Sequence, residues 1–442
     1  MRISTWRNIG LCWLAICAGM PVILAGELDE YVAKPDASFQ WKLLTNHTSE
    51  AGRVLSVDFQ SQTWQGIPWK HGLRIYVPAD LVYPDTALLF ITGGGTDSKP
   101  KPTDDLFGFA LAKATGCRVA VLPQVPNQPL LGGKKEDDLI SETFLRYLET
   151  KDPQWPLLLP MVKSAVRAMD VVTALTKEEG QPVTKFVVTG ASKRGWTTWL
   201  TGAVDPRVIA IAPMVIPTLN FHKQNPHQLE VWGKYSEQID DYVSKGLMEK
   251  LETEDGKVLT RIVDPYFYID RITVPKLQIN GTNDRYWTLD SVNLYWDELK
   301  APSYVLYLPN AGHGLEQNRQ WAIAGVGALA RHAASGRPMP EARWSHSDDP
   351  DGKLRLSVEV VKPPGFKSLT LWTVSAPTQD FREARWSPAG TVELGTENQA
   401  AIAVERPQSG WFALYGDMLY NVDGMDYHLS TQIRVVPPQA ER

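Results

Sequence analysis

Lys185-Phe-Val-Val-Thr-Gly-Ala-Ser192-Lys-Arg-Gly195 carries an apolar run straight into Gly-x-Ser, and a helical pattern opens at once behind it. A serine on so sharp a strand-to-helix turn is held exposed above a sheet, as a nucleophile must be. Gly190 leaves room at the turn, and the Lys193 backbone N–H falls where a donor to a developing oxyanion belongs. The usual Gly-x-Ser-x-Gly pattern has its second glycine two residues after the serine. Here Arg194 occupies that place and Gly195 follows one later. Gly-x-Ser alone also suits a purely structural turn, so the flanking segments have to decide.

Apolar runs at 87–92, 118–122, 185–189, 208–215, 276–280 and 304–308 read as strands. Helical patterns at 107–115, 161–176, 291–299 and 320–333 fall between or after them. Continuous apolar strands joined by helices describe an α/β fold with a mostly parallel sheet covered on both faces. Alternating stretches at 53–60 and 72–77 read as an antiparallel hairpin that precedes it.

The strand at 276–280 ends in Gly281-Thr-Asn-Asp284-Arg-Tyr-Trp, and that at 304–308 in Pro309-Asn-Ala-Gly-His313-Gly. Serine, acid and histidine thus arrive in chain order from loops at one sheet edge, the order of an α/β-hydrolase. A hydroxyl needs a nearby base, and a neutral imidazole supplies it when a carboxylate fixes its tautomer. Ser192 is therefore the expected nucleophile, His313 the base and Asp284 its orienting acid. Asp284 also suits a helix cap, and Asp290 stands as the alternative acid. Thr92-Gly-Gly-Gly95, just after an early strand, resembles the glycine loops that lend an N–H to the oxyanion. Gly94, Gly95 and Lys193 are the expected donors. A phosphate loop is the rival, but no Gly-Lys-Ser/Thr follows.

The connection over 217–274 is too long for an ordinary loop and reads as an inserted cap, with a helical segment at 231–243. Its Phe221, Trp232, Tyr235, Tyr242, Tyr266, Phe267 and Tyr268 supply enough aromatic surface to roof a pocket. Arg194, Trp232 and Tyr286 are the expected substrate contacts. Lys193 and Arg194 are two cations beside a reacting carbonyl, suited to an anionic substrate, unless Arg194 turns toward an acidic partner. His222 and His227 lack a third ligand of suitable spacing, so no metal is expected, and the triad chemistry calls for no cofactor.

Beyond Gly336 the pattern changes to short strands without helices, at 354–360, 369–374, 400–404, 411–415 and 431–436. That reads as a small C-terminal β-sandwich over 337–442, after a hydrolase domain over 27–336. Its Trp344, Trp372, Trp386 and Trp411 suit core packing or a ligand face.

With 442 residues, 43% hydrophobic and 21% charged, the chain has material for more than one core and is not a disordered tail. Forty-five Lys and Arg against 50 Asp and Glu, without a basic run, argue against phosphate-driven nucleic-acid binding. Arg2 and Arg7 precede an apolar stretch over 9–25, which reads as a secretory signal peptide over 1–26 or an uncleaved anchor. No later run suits a spanning helix. Cys12 and Cys17 fall in that leader, leaving Cys117 alone and unable to form an internal disulfide. A periplasmic or secreted location follows from these expectations.

Ser61-Gln-Thr-Trp64 with Trp69-Lys-His71, Thr92-Gly-Gly-Gly95, Gly190-Ala-Ser-Lys-Arg-Gly-Trp196, Gly281-Thr-Asn-Asp-Arg-Tyr-Trp287 and Asn310-Ala-Gly-His-Gly314 together resemble the PhoPQ-activated pathogenicity-related protein family. The resemblance runs from about Leu28 to the C-terminus, more loosely beyond Gly336, and implies an exported α/β-hydrolase with this triad. A shorter similarity links the elbow to glucuronoyl esterases, which carry Gly-x-Ser-Arg-x-Gly. Lys193 stands here in place of that arginine. The function expected from all this is a serine hydrolase cleaving an ester or amide of a small molecule, glycan or peptide, an esterase before a peptidase. The competing reading is a binding or signalling protein on a degenerate hydrolase fold.

Overall fold

The computed structural model describes residues 26–300, 302–362, 365–393 and 398–439. The leader expected over 1–26 lies outside these, apart from Gly26. The chain opens with α1 (Glu27–Ala33) and three antiparallel strands, β1 (Gln40–Ser49), β2 (Gly52–Trp64) and β3 (Ile67–Pro78). There follow β4 (Tyr83–Ile91), α2 (Pro102–Thr115), β5 (Cys117–Leu122), α3 (Glu136–Thr150), α4 (Leu158–Glu178), β6 (Lys185–Ala191), α5 (Lys193–Val204) and β7 (Val208–Met214). After the cap come β8 (Lys276–Gly281), β9 (Ser303–Leu308) and α10 (Arg319–Ser335).

The strands lie in the order β1-β2-β3-β5-β4-β6-β7-β8-β9, with β5 to β9 and β4 mutually parallel and β3 antiparallel to β5. The swap of β4 and β5, followed by steady growth from β6 to β9, is the winding of an α/β-hydrolase. Strand β8 is buried over its whole length, as its unalternated apolar run requires. Helices α4 and α5 cover one face, and α2 and α10 the other. Cys117 is buried and free. Among the described residues no helix is long and apolar enough to cross a membrane.

The cap holds α6 (Phe221–Trp232), α7 (Asp240–Val243), α8 (Leu247–Leu251) and α9 (Glu254–Val263). The helix expected over 231–243 does not form as one piece, because Gly233 takes φ +70° and ends α6. Nor does a helix span 291–299. Two short 3₁₀ turns, Ser291–Leu294 and Trp296–Glu298, stand there instead. Tyr295 between them adopts φ −144° to bury its ring and donate its hydroxyl to Gln278, so a tertiary contact overrides the local pattern.

The C-terminal strands are β10 (Glu341–Asp348), β11 (Leu354–Lys362), β12 (Phe366–Ala376), β13 (Ser387–Glu393), β14 (Gln399–Val404), β15 (Trp411–Val422), β16 (Met425–Ser430) and β17 (Arg434–Val436). Strands β10, β11 and β14 form a separate sheet, and its inward Leu354, Leu356 and Val358 pack with Leu369, Leu371 and Leu414 of the other layer. That other layer continues the hydrolase sheet, because β16 pairs with β9 through Ser430 and Val305. Of the tryptophans weighed for a ligand face, Trp386 is core, whereas Trp344, Trp372 and Trp411 are half-buried.

Candidate active site

Ser192 sits between β6 and α5 at φ +58°, ψ −129°, a conformation costly for any residue with a Cβ. The turn persists because its surroundings leave no alternative. Ser192 N donates to Met214 O at 2.8 Å, and Trp196 N closes back on Ser192 O at 2.9 Å. A Cβ on Gly195 would lie 2.7 Å from Ile216 Cγ2 and 2.9 Å from Gly190 O. The late glycine thus allows the new helix to pass against the strand it has just left, and the pattern tolerates Arg194 one place earlier.

Arg194 does not reach toward substrate. Its Nη1 and Nη2 donate to the two oxygens of Glu136 at 2.7 and 2.8 Å, and its Nε to Val125 O at 2.6 Å. Lys193 Nζ meets the same Glu136 at 2.9 Å and Asp137 at 3.3 Å. Burial opposes ionisation of Glu136, but the hydrogen bonds and charges of Arg194 and Lys193 override it and hold the carboxyl well below its ordinary value. The acidic partner weighed for Arg194 in the sequence is therefore Glu136, and the substrate role expected of Arg194 has no free guanidinium to perform it.

The same guanidinium braces the glycine loop. A Cβ on Gly93 would fall 2.4 Å from Arg194 Nη2, and Gly93 O accepts from Gln124 N at 2.9 Å. Gly94 takes φ +111°, open to glycine without strain. Among the described residues the N–H groups of Gly94 and Gly95 find no acceptor, and Lys193 opens a helix whose first N–H groups have none within it. These N–H groups are free for an acceptor from outside the chain.

His313 Nδ1 lies 2.7 Å from Asp284 Oδ2, while Asp284 Oδ1 accepts from Tyr286 N at 2.8 Å. Asp284 thus caps its own turn and holds the imidazole. Asp290, the alternative acid, pairs with His227 at 2.8 Å instead. The Asp284 and His313 loops interlock: Asn283 N donates to Ala311 O, and Asn310 N to Thr282 Oγ1, each at 2.9 Å. A Cβ on Gly281 would meet Ala311 O at 2.3 Å. His313 Nε2 is buried without a hydrogen-bond partner, and no bond joins it to Ser192 Oγ. Pairs of this kind often tighten only when substrate arrives.

Tyr286 stacks on His313 with ring centroids 4.0 Å apart and also lines the cavity at Ser192. Trp232 stands apart, under the Arg382 guanidinium at 4.1 Å and behind Asp284. Two residues whose weight the sequence did not announce are Asn283 and Asn310. Asn283 Nδ2 donates to Ala384 O at 2.7 Å and Arg382 O at 3.1 Å. Asn310 exchanges bonds of 2.8 and 3.1 Å with the Trp386 backbone. The loops of Asp284 and His313 are thereby fastened to residues 382–386 of the C-terminal region. Both asparagines sit inside the quoted loop motifs, which was their only signal. Glu136 was signalled no better, by an acidic run at 136–138.

The chain is similar to proteins already known. A 32% identical relative, the autocrine proliferation repressor protein A of Dictyostelium discoideum, aligns over 94% of this chain and 91% of its own. Among solved structures, acetyl xylan esterase 1 from Thermoanaerobacterium sp. JW/SL YS485 is 16% identical, covering 71% of this chain and 92% of that one at a TM-score of 0.48. An S-formylglutathione hydrolase from Agrobacterium tumefaciens is 12% identical over 66% of this chain and 99% of its own, at 0.43. The model of the PhoPQ-activated pathogenicity-related proteins matches residues 28–382, and the chain belongs to that family.

Proposed function

We propose that the chain is an exported serine hydrolase, an esterase in preference to a peptidase, acting through Ser192, His313 and Asp284. The observation that carries this reading is the bond of 2.7 Å between His313 Nδ1 and Asp284 Oδ2, at the same sheet edge as the strained Ser192. Asp284 holds the proton on Nδ1, so Nε2 presents a lone pair. Ser192 Oγ passes its proton to Nε2 and bonds to the substrate carbonyl carbon. The Gly94, Gly95 and Lys193 N–H groups receive the oxyanion. His313 then protonates the departing oxygen as its bond to carbon breaks. Water repeats the sequence on the acyl-serine, releasing the acid and restoring Ser192. Export rests on the apolar stretch before Gly26 in the sequence.

A fluorophosphonate probe tests the assignment. Labelling of the intact protein that disappears in Ser192→Ala supports it, and labelling that persists removes Ser192 from the role. Labelling without turnover of any ester would favour the binding-protein reading.

A further inference from the structure

Two cavities meet at Tyr286, and their chemistry differs. The one against Ser192 holds about 70 Å³ and is walled by Trp196, Ile216, Phe221, Met248, Leu251 and Trp287. The one against His313 holds about 530 Å³ and is walled by Gln238, Arg285, Asn310, Glu316, Arg382 and Arg385. We propose that Tyr286 divides the substrate, with a short apolar acyl group seated on the Ser192 side and a large polyhydroxylated alcohol, a saccharide by chemical class, on the His313 side. This rests on the serine-hydrolase reading and adds the substrate to it.

The acyl side follows from size and charge. A cavity of about 150 Å³ is what admits a benzene ring. A space of less than half of that seats an acetyl or propionyl group better than an aryl or long-chain one. The charged groups at its edge are already spoken for: Lys193 by Glu136 and Asp137, and Asp137 also by the Tyr242 hydroxyl at 3.0 Å. A charged acyl group would therefore find no free partner there. The walls are also fixed. Trp196 Nε1 donates to Val263 O of α9 at 2.6 Å, and Asp264 accepts from Phe221 N at 2.8 Å. The cap thus sets the volume instead of swinging away from it.

The alcohol side follows from the direction of proton transfer. The group that protonates the leaving oxygen faces the leaving group, and that group is His313. His313 lines the open cavity, with its Nε2 buried behind that wall, so the leaving alcohol is placed on this side. Among the described residues the Gln238 and Arg385 side chains there make no bond within the protein and are free for hydroxyls, whereas Arg285, Arg382, Asn310 and Glu316 are held by protein partners. In the reaction the acyl C–O bond breaks, the acyl carbon passes to Ser192 Oγ, and the serine proton leaves on the alcohol through His313. Residues 382–385 of the C-terminal region form part of this wall, which gives that region contact with substrate.

The test uses the mature protein and two substrate series. On one simple alcohol, acetyl, butyryl and octanoyl esters are compared. With acetyl fixed, an acetylated oligosaccharide is compared with the simple acetate. A preference of about a hundredfold in kcat/KM for acetyl over octanoyl is expected, given what misfit of one methylene costs in an apolar pocket. Phe221→Ala, and Met248→Ala should the first not fold, are expected to bring butyryl level with acetyl. The acetylated oligosaccharide should show the lower KM, and Arg385→Ala should raise it. Octanoyl turnover equal to acetyl, or no gain from the oligosaccharide, overturns the division even where Ser192 is labelled. Failure of Ser192 to react with a fluorophosphonate, with no ester cleaved, overturns the underlying assignment as well.

Discussion

Arg194 and Glu136 meet in a two-pronged bond, 2.7 and 2.8 Å, directly behind the serine turn. The cations of the elbow are thereby neutralised within the protein, and they brace the turn instead of attracting substrate. Glu136→Gln would leave Lys193 with Asp137 and Arg194 with no carboxylate partner. Because Glu136 is itself 42% exposed, a loss of about 2 kcal/mol is expected, below the usual cost of breaking a fully buried pair. The carboxyl is held below its ordinary value, so the contribution is full above about pH 4.5 and declines as pH falls further. Urea titration at pH 7 and pH 4 measures it. Lys193→Ala should cost equally on anionic and neutral esters, whatever the salt.

Asp284→Asn should preserve the cap on Tyr286 N and yet lower kcat by about 10⁴-fold, because an amide favours the wrong imidazole tautomer. Steady-state kinetics on an activated acetate, with folding checked by circular dichroism, decides this. A loss under tenfold would mean that Asp290, or no acid, orients the base.

Asn310→Ala removes the bonds that hold the His313 loop to the Trp386 backbone. Misplacing a base by about 1 Å costs on the order of a hundredfold, so kcat should fall by about ten- to a hundredfold with KM little changed. The pH–rate profile should shift with it. A change in melting temperature alone, at unchanged kcat, would reduce Asn310 to a structural contact.

His71 makes a different kind of prediction. It is buried, lies 3.0 Å from Ser61 Oγ and contacts Pro123 O through Nδ1 at 3.1 Å. Burial pulls its pKa down from 6.5 to about 4. The unfolded chain binds the proton more readily, so stability is full above pH 6.5 and is lost as pH falls toward 4, by up to about 3 kcal/mol. His71→Gln should flatten the stability curve over that window relative to the parent, as followed by denaturant midpoints. An unchanged slope would assign the acid sensitivity elsewhere.

What the sequence disclosed and what it hid divide along physical lines. Ser192, Asp284 and His313 stand at strand ends, where apolar runs stop and glycine appears, so spacing brought them out as candidates. The sheet core was legible for the same reason. The partners of Lys193 and Arg194 were not, since Glu136 lies 58 residues from Arg194 and no local pattern ties an acidic run to a distant elbow. Tyr295 broke a helical pattern for a contact with Gln278 that the pattern could not foresee. Strand β1 is largely exposed and lacks the alternation that betrays a half-buried strand, so it went unnoticed.

The pairing of β16 with β9, reinforced by Tyr307 N donating to Ser430 Oγ at 2.9 Å, makes the two regions one hydrogen-bonded surface. Loss of the C-terminal strands would bare the backbone of β9 along an apolar flank, the kind of open edge that recruits other chains. A chain cut at Gly336 is thus expected to assemble into aggregates instead of yielding a smaller enzyme, and the intact protein to melt in a single transition.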